Sequence, residues 1–109
     1  MERTFDVVIA GAGPAGASCA RRSAELGLST LLLERATLPR AKRCAAGLSA
    51  RALGRLGPAV SAIVHRDFTT VEIEFGPRTS LVWTGDATVI ATTTRPELDA
   101  FLVEAAAAA

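Results

Sequence analysis

Three glycines near the start of the chain, Gly11, Gly13 and Gly16, follow an apolar run and precede a helical pattern. In this G-x-G-x-x-G spacing, the first glycine allows a sharp turn off a strand, the second lets a phosphate approach bare backbone, and the third lets the next helix pack closely on the sheet. The N–H groups and the positive dipole end of that helix favour an anion. The motif therefore predicts a site for a dinucleotide diphosphate.

The residues on either side of the glycines support this prediction. Residues 5–10 are mostly apolar and rich in β-branched residues, which predicts a buried parallel strand, and residues 17–24 carry alanines at helical spacing. A second apolar strand, residues 29–34, ends at Glu34, which follows Gly11 by 23 residues and could accept hydrogen bonds from ribose hydroxyls. A helix packed on a sheet without a ligand explains the glycines poorly and Glu34 not at all. Residues 1–35 thus predict a βαβ dinucleotide-binding unit.

The remainder of the chain predicts a mixed α/β fold. Residues 37–47 are expected to form a loop, and residues 49–56 a short helix capped by Ser49. Alternating apolar residues at 71–75, followed by apolar stretches at 81–84 and 87–93, predict a small antiparallel β meander. A final helix should begin at Thr94. Because 109 residues hold fewer strands than a complete doubly wound domain needs, we expect an incomplete, truncated Rossmann-like domain.

Charge and composition narrow the classes of function. Seven basic residues and no acidic ones lie between Arg35 and Arg66, which favours an anionic ligand or a solvated basic face. The net charge of +1 makes no case for nucleic acid. Cys19 and Cys44 lack metal-ligand spacing, so no metal site is expected. No apolar run reaches the roughly 18 residues of a membrane span, and a cytoplasmic location is expected.

Three blocks carry a resemblance to a known family: residues 6–16, residues 31–35 together with 39–49, and residues 94–102. In these blocks the chain resembles the N-terminal part of flavoproteins of the geranylgeranyl reductase family, within the wider para-hydroxybenzoate hydroxylase-like group. Related proteins often carry two or more glycines after the cysteine, where this chain has Ala45 and Ala46 before Gly47. The resemblance implies an FAD-binding domain.

The resemblance also implies roles for individual residues. The glycines would cradle the FAD diphosphate, Glu34 would bind the adenosine ribose, and Arg35 would lie near the adenine. The residues Arg43, Cys44 and Gly47 would border the flavin, and Arg95 would approach FAD from its helix. No catalytic residue is assigned. The cofactor-binding residues expected in full are Gly11, Ala12, Gly13, Pro14, Ala15, Gly16, Glu34, Arg35, Arg43, Cys44, Gly47 and Arg95.

The activity implied by the resemblance is a flavin-dependent reduction of prenyl C=C bonds. The resemblance also implies a small-molecule or isoprenoid substrate and NAD(P)H as a candidate electron donor, and it is compatible with peripheral membrane contact. Three alternatives stay open: an FAD-dependent aromatic monooxygenase or halogenase, an NAD-only dehydrogenase, and a truncated fragment that binds nucleotide weakly or not at all.

Overall fold

A computed structural model describes residues 2–109, which fall into two compact units. The first unit runs up to Cys44 and resumes at Arg95–Ala109, and the second is Ala45–Thr94. The first unit contains β1 (Val7–Ala10), α1 (Pro14–Glu25), β2 (Thr30–Leu33) and α3 (Arg95–Ala108). The second contains β3 (Gly47–Ser49), α2 (Ala50–Leu56), a 3₁₀ helix (Pro58–Ile63), β4 (Arg66–Phe68), β5 (Thr70–Glu74), β6 (Ser80–Thr84) and β7 (Ile90–Thr92).

The first unit is built on a βαβ arrangement. Strands β1 and β2 pair in parallel, from Val7 opposite Thr30 to Ala10 opposite Leu33, and α1 connects them. Ala17 and Ala20 are buried on α1, where their small side chains allow close packing on the strands and on α3. The helix is followed by Gly27 at a φ of +80°, a conformation that glycine adopts readily at helix ends. The predicted Rossmann-like unit is confirmed.

One detail of the β1 prediction is wrong. The apolar sequence predicts a buried strand, but Val8 is 60% exposed, and Leu33 on the paired strand β2 is 49% exposed. Successive side chains of a strand point to opposite faces, and in β1 only Val7 and Ile9 are half-buried. The two-stranded sheet is therefore covered on one face and open on the other.

The second unit contains antiparallel strands, as predicted, but their pairing differs from a simple meander. Strands β5 and β6 form a hairpin in which Val71 lies opposite Trp83. Strand β7 does not extend this hairpin; it lies between β3 and β4 in a separate three-stranded sheet. The buried side chains of this unit include Leu48, Val60 and Ala91.

Helix α2 begins as its sequence predicts. The hydroxyl of Ser49 accepts a hydrogen bond from the amide of Ala52 at 3.2 Å, which satisfies one of the free N–H groups of the first turn. Gly57, at a φ of +82°, ends the helix and leads into the 3₁₀ helix at Pro58.

Within residues 2–109, no helix has the length and apolar character needed to cross a membrane. Across the same residues, no group of three or more His, Cys, Asp and Glu side chains is placed to hold a metal ion.

Candidate functional site

The turn between β1 and α1 requires glycine at two positions for reasons of backbone geometry. Gly11 has a φ of +103°, and its amide donates to the carbonyl of Leu33 at 2.7 Å, so the turn begins directly at the sheet. A Cβ placed on Gly16 would overlap the carbonyl oxygen of Gly11. The first and third glycines of the motif therefore form one close backbone contact. The sequence predicts close packing of the helix at Gly16, and the structure identifies the Gly11 carbonyl as its partner.

Gly13 leaves space at the N-terminus of α1. It precedes Pro14, the first helical residue, and no side chain caps the helix. A Cβ on Gly13 would lie 3.7 Å from Nη2 of Arg95, so this position faces a guanidinium group at ordinary contact distance. Because the first N–H groups of a helix lack partners within it, this end of α1 can donate to an anion.

Glu34, just beyond the end of β2, has both of its carboxylate oxygens engaged. Oε2 accepts from the amide of Ala12 at 3.0 Å and from Nη2 of Arg40 at 3.0 Å, and Oε1 accepts from the amide of Ala36 at 3.1 Å. The bond from Arg40, followed by those from the two amides, lowers the pKa of Glu34 from 4.5 to about 2. Glu34 is therefore anionic at neutral pH and holds the glycine turn against β2.

A buried carboxylate on α3 was not foreseen from the sequence. Asp99 has no exposed surface; its Oδ1 accepts from Nε of Arg95 at 2.9 Å, and its Oδ2 accepts from Nη2 of Arg95 at 3.0 Å and from Nη1 of Arg40 at 2.6 Å. The bond to Asp99 raises the pKa of Arg95 above its ordinary value. The i,i+4 spacing of Arg95 and Asp99 is the one sequence signal for this cluster, since Arg40 is 59 residues away from Asp99.

A cavity of about 660 Å³ opens beside the glycine turn in the first unit, within the roughly 300–1,000 Å³ typical of small-molecule sites. It brings together five of the residues predicted from sequence and adds two basic ones, Arg40 and Lys42, that were not included among the expected site residues. The lining residues are Ala10, Gly11, Gly13, Leu33, Glu34, Arg35, Arg40, Lys42 and Arg95.

The remaining predicted residues are not among those that line this cavity. The residues Ala12, Pro14, Ala15 and Gly16 belong to the glycine turn and the first turn of α1. Arg43 and Cys44 are exposed, and Cys44 contacts Arg95 through a hydrogen bond. Gly47 belongs to the second unit, at the start of β3.

The donor set of the cavity suits a ligand rich in phosphate and hydroxyl oxygens. Cationic side chains and helix amides can hold phosphate, and the Glu34 carboxylate can accept from hydroxyl groups. Gly11 and Gly13 line the cavity without a side chain, so the oxygen atoms of a ligand can approach the backbone there. The residues present therefore fit a dinucleotide.

Known proteins resemble this chain in sequence and in fold. Over 54 residues, which are 49% of its length, the chain is 54% identical to digeranylgeranylglycerophospholipid reductase 1 of Methanopyrus kandleri. The matched region covers 14% of the Methanopyrus protein. The chain is 31% identical over 104 residues, 95% of its length, to an uncharacterized protein of Methanosarcina barkeri. A crystal structure of a geranylgeranyl bacteriochlorophyll reductase-like protein from Thermoplasma acidophilum superposes with a TM-score of 0.85 at 28% identity, covering 97% of this chain.

The chain is short beside these relatives, since it spans 27% of the Methanosarcina protein and 28% of the Thermoplasma chain. The resemblance to the geranylgeranyl reductase family is nevertheless confirmed by the names of its relatives. The sequence profile described as FAD binding domain matches residues 6–69, more than half of the chain. The chain therefore belongs to the FAD binding domain family.

Proposed function

We propose that the cavity of the first unit holds the ADP half of FAD. The observation that carries this proposal is the arrangement of Glu34, whose carboxylate is tied to the amide of Ala12 beside Gly11 and Gly13. A ribose acceptor is thereby held next to backbone at Gly11 and Gly13 that carries no side chain. This is the pairing that a nucleotide diphosphate needs.

The proposed contacts follow the order of the cofactor. The diphosphate lies over Gly11, Ala12 and Gly13 and the first turn of α1 at Pro14, Ala15 and Gly16. The ribose hydroxyls donate to Glu34, and the adenine lies near Arg35. On the flavin side we place Arg43, Cys44 and Gly47, with Arg95 approaching from the start of α3.

For the whole protein we propose a flavin-dependent reductase that acts on isoprenoid double bonds. The Methanopyrus protein is named a digeranylgeranylglycerophospholipid reductase, and the Thermoplasma protein is named geranylgeranyl bacteriochlorophyll reductase-like. Both names support this substrate class. When bound, reduced FAD would supply the hydride, and a proton would complete the addition across the double bond. We propose NAD(P)H as the electron donor, and a cytoplasmic protein that meets the membrane peripherally to reach its lipid substrate.

Cofactor binding is tested by purifying the chain and recording its visible spectrum, then titrating the apoprotein with FAD and, separately, with NADH. We expect flavin absorbance and saturable FAD binding. A colourless protein that binds NADH and not FAD would contradict the proposal and favour an NAD-only site.

A pair of variants shows whether the glycine turn is responsible. Gly13→Val fills the gap beside Arg95 and should abolish FAD retention, whereas expression stays largely normal. Gly54→Ala, on an exposed position of α2 with open space around it, is the matched control and should retain FAD fully. Normal flavin content in Gly13→Val would count against the diphosphate site.

The reaction is tested by mixing the anaerobically reduced flavoprotein with a geranylgeranyl lipid and following flavin reoxidation together with loss of C=C bonds. Reoxidation by the lipid supports the reductase proposal. Hydroxylated or halogenated aromatic products in the presence of O₂, with no reaction on the lipid, would instead support the monooxygenase or halogenase alternative.

A further inference from the structure

The largest fully buried side chain in the described part of the chain is a carboxylate, Asp99. It lies on α3 between two buried leucines, Leu98 and Leu102. Burying a charge is unfavourable unless it is fully paired, and buried ion pairs can often be replaced by apolar residues without loss of stability. Stability alone therefore does not explain an aspartate at this position.

The contacts of Asp99 form a continuous chain that reaches the cofactor site. Asp99 binds Nη1 of Arg40 at 2.6 Å, Nη2 of Arg40 binds Glu34 at 3.0 Å, and Glu34 accepts from the amide of Ala12 at 3.0 Å. Helix α3 is thereby connected to the glycine turn through two charge-assisted contacts, each between nearly buried groups.

The same carboxylate fixes a second guanidinium group. Arg95 binds Asp99 through both Nε and Nη2, and two parallel hydrogen bonds hold the plane of the guanidinium in one orientation. In that orientation Nη2 lies 3.7 Å from the position that a Cβ on Gly13 would occupy. Asp99 thus determines where Arg95 stands beside the glycine turn.

The net charge of this cluster is zero, because two carboxylates, Glu34 and Asp99, balance two guanidinium groups, Arg40 and Arg95. The uncompensated positive charge of the cavity comes from Arg35 and Lys42. The cluster therefore fixes the positions of the groups around an anion site but adds little net electrostatic attraction for the anion.

We propose that Asp99 and Arg40 are positioning residues of the cofactor site: Asp99 orients Arg95 beside Gly13, and Arg40 holds Glu34 against the amide of Ala12. The inference rests on the proposed binding of FAD in this cavity. It extends that proposal to Asp99, which does not line the cavity, and to Arg40, which lines it and is bonded to both Glu34 and Asp99.

The variant Asp99→Asn separates positioning from attraction, because it keeps the shape of the side chain and raises the net charge of the cluster by one. Simple electrostatic attraction of the diphosphate would make FAD binding tighter in this variant. Loss of the orientation of Arg95 and Arg40 should instead weaken it, by about tenfold to a hundredfold in Kd, the size expected for lost charge-assisted hydrogen bonds. Arg40→Met should weaken it as well, while the pair between Arg95 and Asp99 persists.

Leu102→Ala is the control for a purely structural role. Leu102 is buried one turn after Asp99, so its truncation destabilises the same helix without touching the ionic cluster. We expect Leu102→Ala to lower the thermal midpoint while the FAD Kd of the folded protein stays at the wild-type value. Amide hydrogen exchange adds a readout that needs no cofactor: exchange in peptides covering residues 10–16 should accelerate in Asp99→Asn and Arg40→Met, and not in Leu102→Ala.

The outcomes distinguish the two proposals. Failure of the wild-type chain to bind FAD would overturn the cofactor site and the positioning role with it. Wild-type binding with an unchanged or smaller Kd in Asp99→Asn would overturn the positioning role alone. Equal loss of affinity in Asp99→Asn and Leu102→Ala would also overturn it, because the effect would then follow stability.

Discussion

The carboxylate of Glu34 accepts a hydrogen bond from the backbone amide of Ala12 at 3.0 Å, although 22 residues separate them. The sequence offers Glu34 as a ribose acceptor, and the structure shows that it also fastens the glycine turn to β2. An amide at Ala36 and the guanidinium of Arg40 complete its environment. The position of the glycine turn therefore depends on the charge of Glu34.

This environment predicts an acid-dependent loss of stability. The pKa of Glu34 is lowered from 4.5 to about 2 in the folded chain, so its stabilising contribution is complete above pH 4.5 and is lost as the pH falls toward 2. Thermal unfolding of the wild type and of Glu34→Gln should therefore converge between those pH values. The lowered pKa values of Asp6 and Glu25 affect both proteins alike and cancel in the comparison. A constant difference between the two curves from pH 7 to pH 2 would contradict the assignment.

Gly16→Ala should disrupt the turn. A Cβ at this position overlaps the carbonyl oxygen of Gly11, and backbone cannot move aside as a flexible side chain can. We expect a loss of at least about 2 kcal/mol in the free energy of unfolding, in line with overpacking of a close contact. Chemical denaturation monitored by circular dichroism measures it. A wild-type unfolding curve would show that the third glycine of the motif is not needed for close packing.

The same substitution at Gly54 should have the opposite sign. Gly54 lies within α2, is exposed, and has open space where a Cβ would be placed. Alanine restricts the unfolded chain and favours the helix, so Gly54→Ala should stabilise the second unit by roughly 0.5–1 kcal/mol. Urea unfolding of both glycine variants in parallel tests this pair. Destabilisation by Gly54→Ala would mean that α2 is not a regular helix at this residue.

Local patterns were enough to predict the βαβ unit. The motif glycines, the apolar strands and Glu34 are close in sequence, and each acts through backbone geometry or through the next element along the chain. Close packing of the helix at Gly16 was predictable because only a missing side chain allows it, whereas its contact with the Gly11 carbonyl is seen only in the structure. The cap at Ser49 was also predictable, because a hydroxyl residue there directly precedes a helical pattern.

Contacts between distant residues were not predictable from these patterns. The ion pair between Arg40 and Asp99 joins an irregular loop to a helix 59 residues later, and no periodicity connects them. Strand β4 carries Arg66, Asp67 and Phe68, all exposed, so it lacks the alternation that marks a strand. The placement of β7 between β3 and β4 depends on pairing over long separations, which a local apolar run does not specify.

Trp83 provides a probe of the hairpin formed by β5 and β6, because it is the single tryptophan of the chain. It pairs with Val71, yet 57% of its surface is exposed, and its neighbours Ile73 and Leu81 are also largely exposed. Water reaches an indole in this position, so its fluorescence emission should lie near that of free tryptophan and should be quenched readily by acrylamide. Unfolding in urea should then change the emission little while circular dichroism changes fully.

Blue-shifted emission that acrylamide fails to quench would mean that the indole is covered in solution, and that this apolar hairpin face is an interface. Dilution would then reveal whether a second copy of the chain covers it, since only an intermolecular cover is lost as the concentration falls.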